Sequence, residues 1–331
     1  GIIMKKIVIA LLVTFGLTTI VSAEIGVKVG VSAQIGSMET SGKEANSDGA
    51  TATNTSKTEE ALFATGGFFI EKDLAFLPGP FGRLSVGYDN IDLEASKKNN
   101  LTLAITATAN AVAVAEHVMF MLLNISKRKN MYDDTVKSGK FSDRNKLPKT
   151  VELWSKNILI AGFGRIGQAL IKRCLGFEMN VFIYDPFVSK DVIEKLGGIK
   201  VESMEDACKD MDAISLHIPL NDKTKNIINY DLLKTMKNNC IIINAARGGI
   251  VNEVDLDKAL NEDLIFGAGL DVFEIEPPEA NNPLLKNDKV FLSPHTASFT
   301  EECMTRMGKE TVQNIIDFFD EKLEKSKIVK L

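Results

Sequence analysis

Gly162-Phe163-Gly164-Arg165-Ile166-Gly167 decides how this chain is read, because of what flanks it. An apolar run, Asn157 to Ala161, leads in, and a helix-like stretch, Gln168 to Leu175, leads out. A second apolar run, Asn180 to Tyr184, then ends at Asp185. Strand, glycine turn, helix, strand, acid is the order of a dinucleotide-binding unit. Gly162 permits the tight turn, Gly164 lets backbone approach a pyrophosphate, and Gly167 lets helix and strand pack closely. The helix start, with Arg165 and Ile166 in its first turn, offers N–H groups and a positive dipole end to phosphates. Asp185 lies about 20 residues on, where an acid accepts hydrogen bonds from a ribose 2′-OH and repels a 2′-phosphate, so NAD is expected rather than NADP.

Working outward, 331 residues are enough for two domains. The net charge is -5 and no basic stripe is present, which argues against a nucleic-acid partner. Cys174, Cys208, Cys240 and Cys303 form no CxxC pair and read as reduced thiols of a cytoplasmic protein. Three histidines without ligand spacing make no metal site.

The front end reads differently. Met4-Lys5-Lys6 is a basic start, Ile7 to Val21 is mostly apolar, and Val21-Ser22-Ala23 supplies small residues before Glu24. That pattern is a signal peptide over residues 1–23, which argues for export. Ile25, Val27, Val29, Val31, Ala33 and Ile35 alternate as a one-faced strand does. Ser37 to Thr58 reads as a polar loop, and Ala61 to Ile70 as a second strand. Residues 24–85 thus resemble the start of a small outer-membrane β-barrel, although two or three strands cannot close one.

From about Val86 onward the chain resembles the D-isomer-specific 2-hydroxyacid dehydrogenases, the group that includes D-3-phosphoglycerate dehydrogenase. The resemblance starts at Val86-Gly87-Tyr88-Asp89-Asn90-Ile91-Asp92 and continues through Ala109-Asn110-Ala111 and Val114-Ala115-Glu116-His117. It implies an α/β chain. Residues 86–118 would be a remnant of a flavodoxin-like substrate domain, and 119–297 a Rossmann NAD-binding domain. Residues 298–331 would be a helix returning to the substrate domain. The Ala111 to Leu123 helix is of the kind that builds the family's homodimer, or else an ordinary buried helix. His117 reads as structural. By the same resemblance His217, Pro219 and Thr224 lie near the cofactor, and Asn244, Ala245, Ala246 and Asp271 face its nicotinamide side.

Three residues match the family's catalytic set position by position: Arg247 in Asn244-Ala-Ala-Arg247-Gly-Gly, Glu276 in Asp271-Val-Phe-Glu-Ile-Glu276-Pro-Pro, and His295 in Leu292-Ser-Pro-His295-Thr-Ala. Interconverting a small 2-hydroxy acid and its 2-keto acid moves a hydride at carbon and a proton at oxygen. Histidine titrates near neutrality and can carry the proton. A carboxylate on its other nitrogen fixes the tautomer and stabilises the imidazolium. A guanidinium fork holds the substrate carboxylate in two-pronged fashion.

The resemblance stops short at the front. The family's first hundred residues, whose loops grip substrate, are replaced here by the barrel-like segment, with the junction in Arg83-Leu84-Ser85-Val86-Gly87-Tyr88-Asp89. The chain also starts Gly-Ile-Ile before Met4. Together these point to a chimera of unrelated parts. With its partner strands missing, the C-terminal helix is expected to expose an apolar face. Two other readings stand beside the dehydrogenase: a truncated NAD-binding module without turnover, and an exported envelope protein. The chain ends at Leu331 without room for the serine-binding domain of some relatives.

Overall fold

The computed structural model describes residues 93–98, 102–106 and 108–330, together with strand residues 21–22, 28–31, 68–71 and 84–85. The chain divides into two units, Gly1–Asn110 with Phe299–Leu331, and Ala111–Ser298.

In the first unit, β1 (Val21–Ser22), β2 (Lys28–Val31) and β3 (Phe68–Glu71) form an antiparallel sheet in that order. β2 falls within the first stretch whose sequence reads as strand, and β3 overlaps the end of the second, running one residue past Ile70. The apolar run up to Ile20, the polar loop Ser37 to Thr58 and the block from Val86 to Asp92 lie outside the described residues. β4 (Leu84–Ser85) and β5 (Ala104–Ile105) pair in parallel, with α1 (Leu93–Lys98) between them in sequence. Parallel neighbours require such a crossover, so this piece is a short βαβ fragment.

The second unit opens with α2 (Ala111–Ser126) and α3 (Lys129–Lys137). Then follow β6 (Asn157–Ala161), α4 (Arg165–Gly176), β7 (Asn180–Tyr184), α5 (Lys190–Lys195), β8 (Ile199–Val201) and α6 (Met204–Cys208). β9 (Ala213–Leu216), α7 (Tyr230–Leu233), β10 (Ile241–Asn244), α8 (Glu253–Asn261), β11 (Gly267–Leu270) and β12 (Val290–Leu292) complete it. Its seven strands form one sheet in the order β12-β11-β10-β9-β6-β7-β8, and every pair is parallel. This is the doubly wound Rossmann sheet. β9, β10 and β11 are buried at every position, as strands covered on both faces must be, which is why they read as apolar runs. The strand order turns back between β6 and β9, and such a switch point opens a ligand crevice at the carboxyl ends of the strands.

α2 settles the inner boundary of this unit. The sequence reading divides the chain at residues 118 and 119, inside what is one continuous helix. Val114, Ala115, Val118, Met119, Met121, Leu122 and Ile125 are buried in the core with Ile158, Ile160, Leu170 and Ile243, so the whole helix belongs to the sheet domain. Most of its surface is therefore internal; Val112 and Phe120 are the large apolar residues it leaves exposed.

In the first unit the last helix, α9 (Glu301–Phe319), lies against the 102–110 segment. Arg306 Nε donates to Ala109 O at 3.0 Å, and Asn314 Nδ2 to Ile105 O at 3.2 Å. Val329 N–H then donates to Leu103 O, and Ile328 bridges Ala104. The apolar face expected to be exposed is instead half-buried at Ile315, Ile316, Phe318 and Phe319. Among the described residues no helix is long and apolar enough to cross a membrane.

Candidate functional site

Every cofactor-binding or catalytic residue expected from the sequence stands at or just beyond the carboxyl end of a strand of the parallel sheet: β6, β7, β9, β10, β11 or β12. Two clusters result.

The first surrounds the glycine turn. Gly162 has φ 99°, and a Cβ there would lie 2.4 Å from His217 O, so no other residue fits. A Cβ on Gly167 would lie 2.4 Å from Gly162 O, because α4 packs directly on the turn. Gly164 differs: a Cβ there would meet nothing within 4 Å. Its side faces open space, which suits a ligand rather than a neighbour. α6, α7, α8 and α9 each have a Ser, Asn or Thr side chain capping the first turn. α4 begins at Gly164 with no side-chain cap and no acid in its first turn, leaving its N–H groups for an anion. Arg165 is exposed at that turn and Ile166 is half-buried.

Asp185 accepts from Phe163 N–H and from Phe187 N–H, both at 2.8 Å. It thereby clips the end of β7 to the glycine turn and keeps lone pairs for a ribose. The His217 ring meets Ser215 Oγ through Nε2 at 2.8 Å, while Nδ1 is buried without a partner among the described residues. Burial pushes this imidazole down to about 4, so it is neutral at physiological pH. Pro219 is exposed. Thr224 Oγ donates to Pro219 O at 2.6 Å and accepts from Asn221 N–H at 2.8 Å, so its hydroxyl closes the loop after β9. An uncapped helix start, a glycine facing open space, an acid after β7 and an orphaned buried ring nitrogen together fit a dinucleotide.

The second cluster pairs an imidazole with a carboxylate, groups that can carry a proton. His295 Nδ1 and Glu276 Oε2 are 2.7 Å apart, and Glu276 Oε1 accepts Phe273 N–H at 3.0 Å. Among the described residues nothing hydrogen-bonds His295 Nε2. The hydrogen bond to Glu276 raises the His295 pKa; burial opposes it, and the charges of Glu276 and Asp271 add to the rise against Arg247. Burial alone would raise the Glu276 pKa, but the bonds from His295 and Phe273 and the charges of His295 and Arg247 outweigh it and hold it below its ordinary value. The pair is therefore a carboxylate beside an imidazole that keeps its proton to higher pH. Arg247, half-buried, donates from Nη1 to Ala246 O at 2.7 Å, and its charge acts on both members.

Asn244 and Asp271, expected to face a nicotinamide, serve as buried fasteners. Asn244 Nδ2 donates to Arg247 O and its Oδ1 accepts Ala246 N–H, which folds Ala245 and Ala246 into the turn before Arg247. Asp271, 1% exposed, accepts Ser293 Oγ at 2.6 Å, Thr296 N–H at 2.8 Å and Ala297 N–H at 2.9 Å. It anchors the turn that presents His295.

Glu253 anchors the other turn. Buried in the first turn of α8, it accepts Glu274 N–H at 2.6 Å and Asn282 Nδ2. Neither anchor is legible in sequence, since a lone acid after a strand or at a helix start carries no signal of its tertiary partners. Among the described residues no group of three His, Cys, Asp or Glu could hold a metal ion.

Comparison with known proteins agrees with this fold. Residues 119–297 match the D-isomer specific 2-hydroxyacid dehydrogenase, NAD binding domain. A D-3-phosphoglycerate dehydrogenase from Methanocaldococcus jannaschii is 40% identical over 234 residues, covering 71% of this chain and 44% of that protein. A hydroxypyruvate reductase from Thermotoga maritima is 36% identical over 235 residues, 70% of this chain and 75% of that protein. The structure of D-lactate dehydrogenase from Aquifex aeolicus, complexed with NAD and lactic acid, superimposes with a TM-score of 0.68 at 31% identity, over 75% of this chain and 80% of that one.

Proposed function

Because the chain belongs to the D-isomer-specific 2-hydroxyacid dehydrogenase family through its NAD-binding domain, we propose that it interconverts a small D-2-hydroxy acid and its 2-keto acid. The observation that carries this reading is the 2.7 Å contact between His295 and Glu276, with the Arg247 charge acting on both. NAD, when bound, supplies the hydride acceptor for oxidation and the donor for reduction. Gly162, Gly164, Gly167 and the free amides of α4 would hold its phosphates, and Asp185 its ribose.

The chain's own groups do the rest. Arg247 binds the substrate carboxylate, a role that suits a guanidinium fork. In reduction, protonated His295 gives its Nε2 proton to the substrate oxygen; in oxidation, neutral His295 takes it. Glu276 holds Nδ1 throughout, so the proton in play is always the one on Nε2.

The substrate we favour is a short 2-keto acid of the phosphohydroxypyruvate, hydroxypyruvate or glyoxylate kind, with a phosphoglycerate dehydrogenase-like reaction foremost. The reading includes a homodimer through the Ala111 to Leu123 helix, at the Val112 and Phe120 edge. It places the enzyme portion in the cytoplasm, where its four buried free thiols stay reduced.

A second reading, an NAD-binding module without turnover, rests on the share matched: 71% of this chain and 44% of the phosphoglycerate dehydrogenase. One experiment separates the two. Residues 24–331 are expressed and NADH absorbance is followed with a panel of 2-keto acids, using Arg247→Ala as control. Oxidation abolished in the control supports the dehydrogenase. NADH binding without oxidation of any substrate supports the module.

A further inference from the structure

Behind the His295 turn lies a chain of hydrogen bonds that the proton chemistry does not itself use. His117 Nε2, on α2, is 2.9 Å from Ser293 Oγ, and that hydroxyl donates to Asp271 Oδ1 at 2.6 Å. A hydroxyl has one proton to give. With it committed to Asp271, Ser293 Oγ must accept from His117, so Nε2 of His117 carries hydrogen. Donors therefore run in one direction, from His117 to Ser293 to Asp271, and Asp271 closes the chain on Thr296 N–H and Ala297 N–H. His295 sits between these groups. Its own N–H donates to Ser293 O at 3.0 Å, and its φ is 54°. A histidine holds that left-handed conformation only where its surroundings fix it.

We propose that His117 is a positioning residue for His295: it holds Ser293 on Asp271, and the chain so formed fixes the turn from which His295 reaches Glu276. The surroundings suit a fixed part. Asp271 is 1% exposed, and the His117 ring packs at 5.8 Å from Phe120. Burial lowers the His117 pKa against the pull of Asp271, so the ring serves as a neutral donor. The charged groups acting on His295 are Glu276, Asp271 and Arg247, and the one acting on His117 is Asp271. None of these charges is removed when His117 or Ser293 is replaced.

The test uses the full chain with labelled histidine. The sequence holds three histidines, so NMR gives each ring its own titration curve. His117→Phe and Ser293→Ala are each expected to lower the His295 midpoint, because the bond to Glu276 that raises it loosens. The double variant is expected to show no further fall, and His117→Gln, whose amide can donate to Ser293, to restore the parent value. NADH binding reports that each variant is folded. A parent-like His295 midpoint in His117→Phe overturns the proposal, as does an additive fall in the double variant. Should His117→Phe not fold, a parent-like midpoint in Ser293→Ala overturns it instead. The proposal rests on reading His295 as the proton carrier, yet the titration needs no turnover. Absence of keto-acid reduction would sink that reading alone and leave the coupling of the rings to be judged by their curves.

Discussion

Gly248 and Phe273 touch through their backbones: a Cβ on Gly248 would fall 1.6 Å from Phe273 O. The turn that carries Arg247 is thus pressed directly on the turn that carries Glu276. Gly248→Ala must force the two apart. It is expected to cost about 1–3 kcal/mol in stability, as overpacking does. Keto-acid reduction should fall further than stability alone explains, because Arg247 and Glu276 lose their spacing. Chemical unfolding and kcat/KM on the same preparation check both; a fully active, equally stable variant would refute the close approach.

The glycine turn allows a sharper comparison. Gly164→Ala has open space for its methyl group, whereas Gly167→Ala collides with Gly162 O. The first should fold with parent-like stability but bind NADH ~10-fold or more weakly, since each factor of ten is about 1.4 kcal/mol of lost contact with the phosphates. The second should lose stability first. Thermal unfolding and NADH titration of the pair read out the difference, and weak binding by neither variant would remove the phosphate site from this turn.

Proton carriage gives a direct kinetic expectation. His295→Asn keeps a residue that tolerates φ 54° while removing the titrating group. Turnover is expected to drop ~10²–10⁴-fold, the usual worth of a positioned acid–base group, with NADH affinity unchanged. Single-turnover measurement under saturating NADH decides it. In the parent, reduction should hold steady at low pH and decline as pH rises through the His295 midpoint, which lies above 6.5. Oxidation should show the opposite trend.

Stability should follow pH through the same pair. The His295 pKa is raised on folding, so its contribution is complete below the unfolded value of 6.5 and is lost as pH rises through the folded midpoint. The Glu276 pKa is depressed, so its contribution is present above 4.5 and is lost as pH falls through the folded midpoint. Both are whole between pH 4.5 and 6.5. The gap in melting temperature between the parent and Glu276→Gln should be widest in that window and narrow on either side. A gap that ignores pH would count against the ion pair.

Local pattern carried a large part of this structure into view. The Gly162 to Gly167 turn, the apolar strands on either side and Asp185 are close in sequence, so their period and spacing announce a βαβ unit before any coordinate does. Arg247, Glu276 and His295 were visible by resemblance, because each sits in a short motif after an apolar strand. Groups that act across the fold were not. Asp271 reads as one more acid near a cofactor until Ser293, Thr296 and Ala297 are seen converging on it. Glu253 and Asn282 are 29 positions apart and share no pattern. His117 reads as a packed ring, since its partner Ser293 lies 176 residues away. At the front, β2 stands where alternation placed a strand and β3 overlaps the end of the second expected strand, and they form a three-stranded sheet with β1. The signal-peptide and barrel readings draw on residues outside those described.

The two buried anchors have a consequence for descent. Asp271 and Glu253 brace the turns of the imidazole and the carboxylate from within the sheet domain, by bonds to the backbone amides of Glu274, Thr296 and Ala297 and to the side chains of Ser293 and Asn282. Loops outside these two turns are then at liberty to drift in length and composition without moving His295 against Glu276. Geometry at the pair and composition of the surrounding loops become separately heritable, in keeping with a fold that hosts different activities.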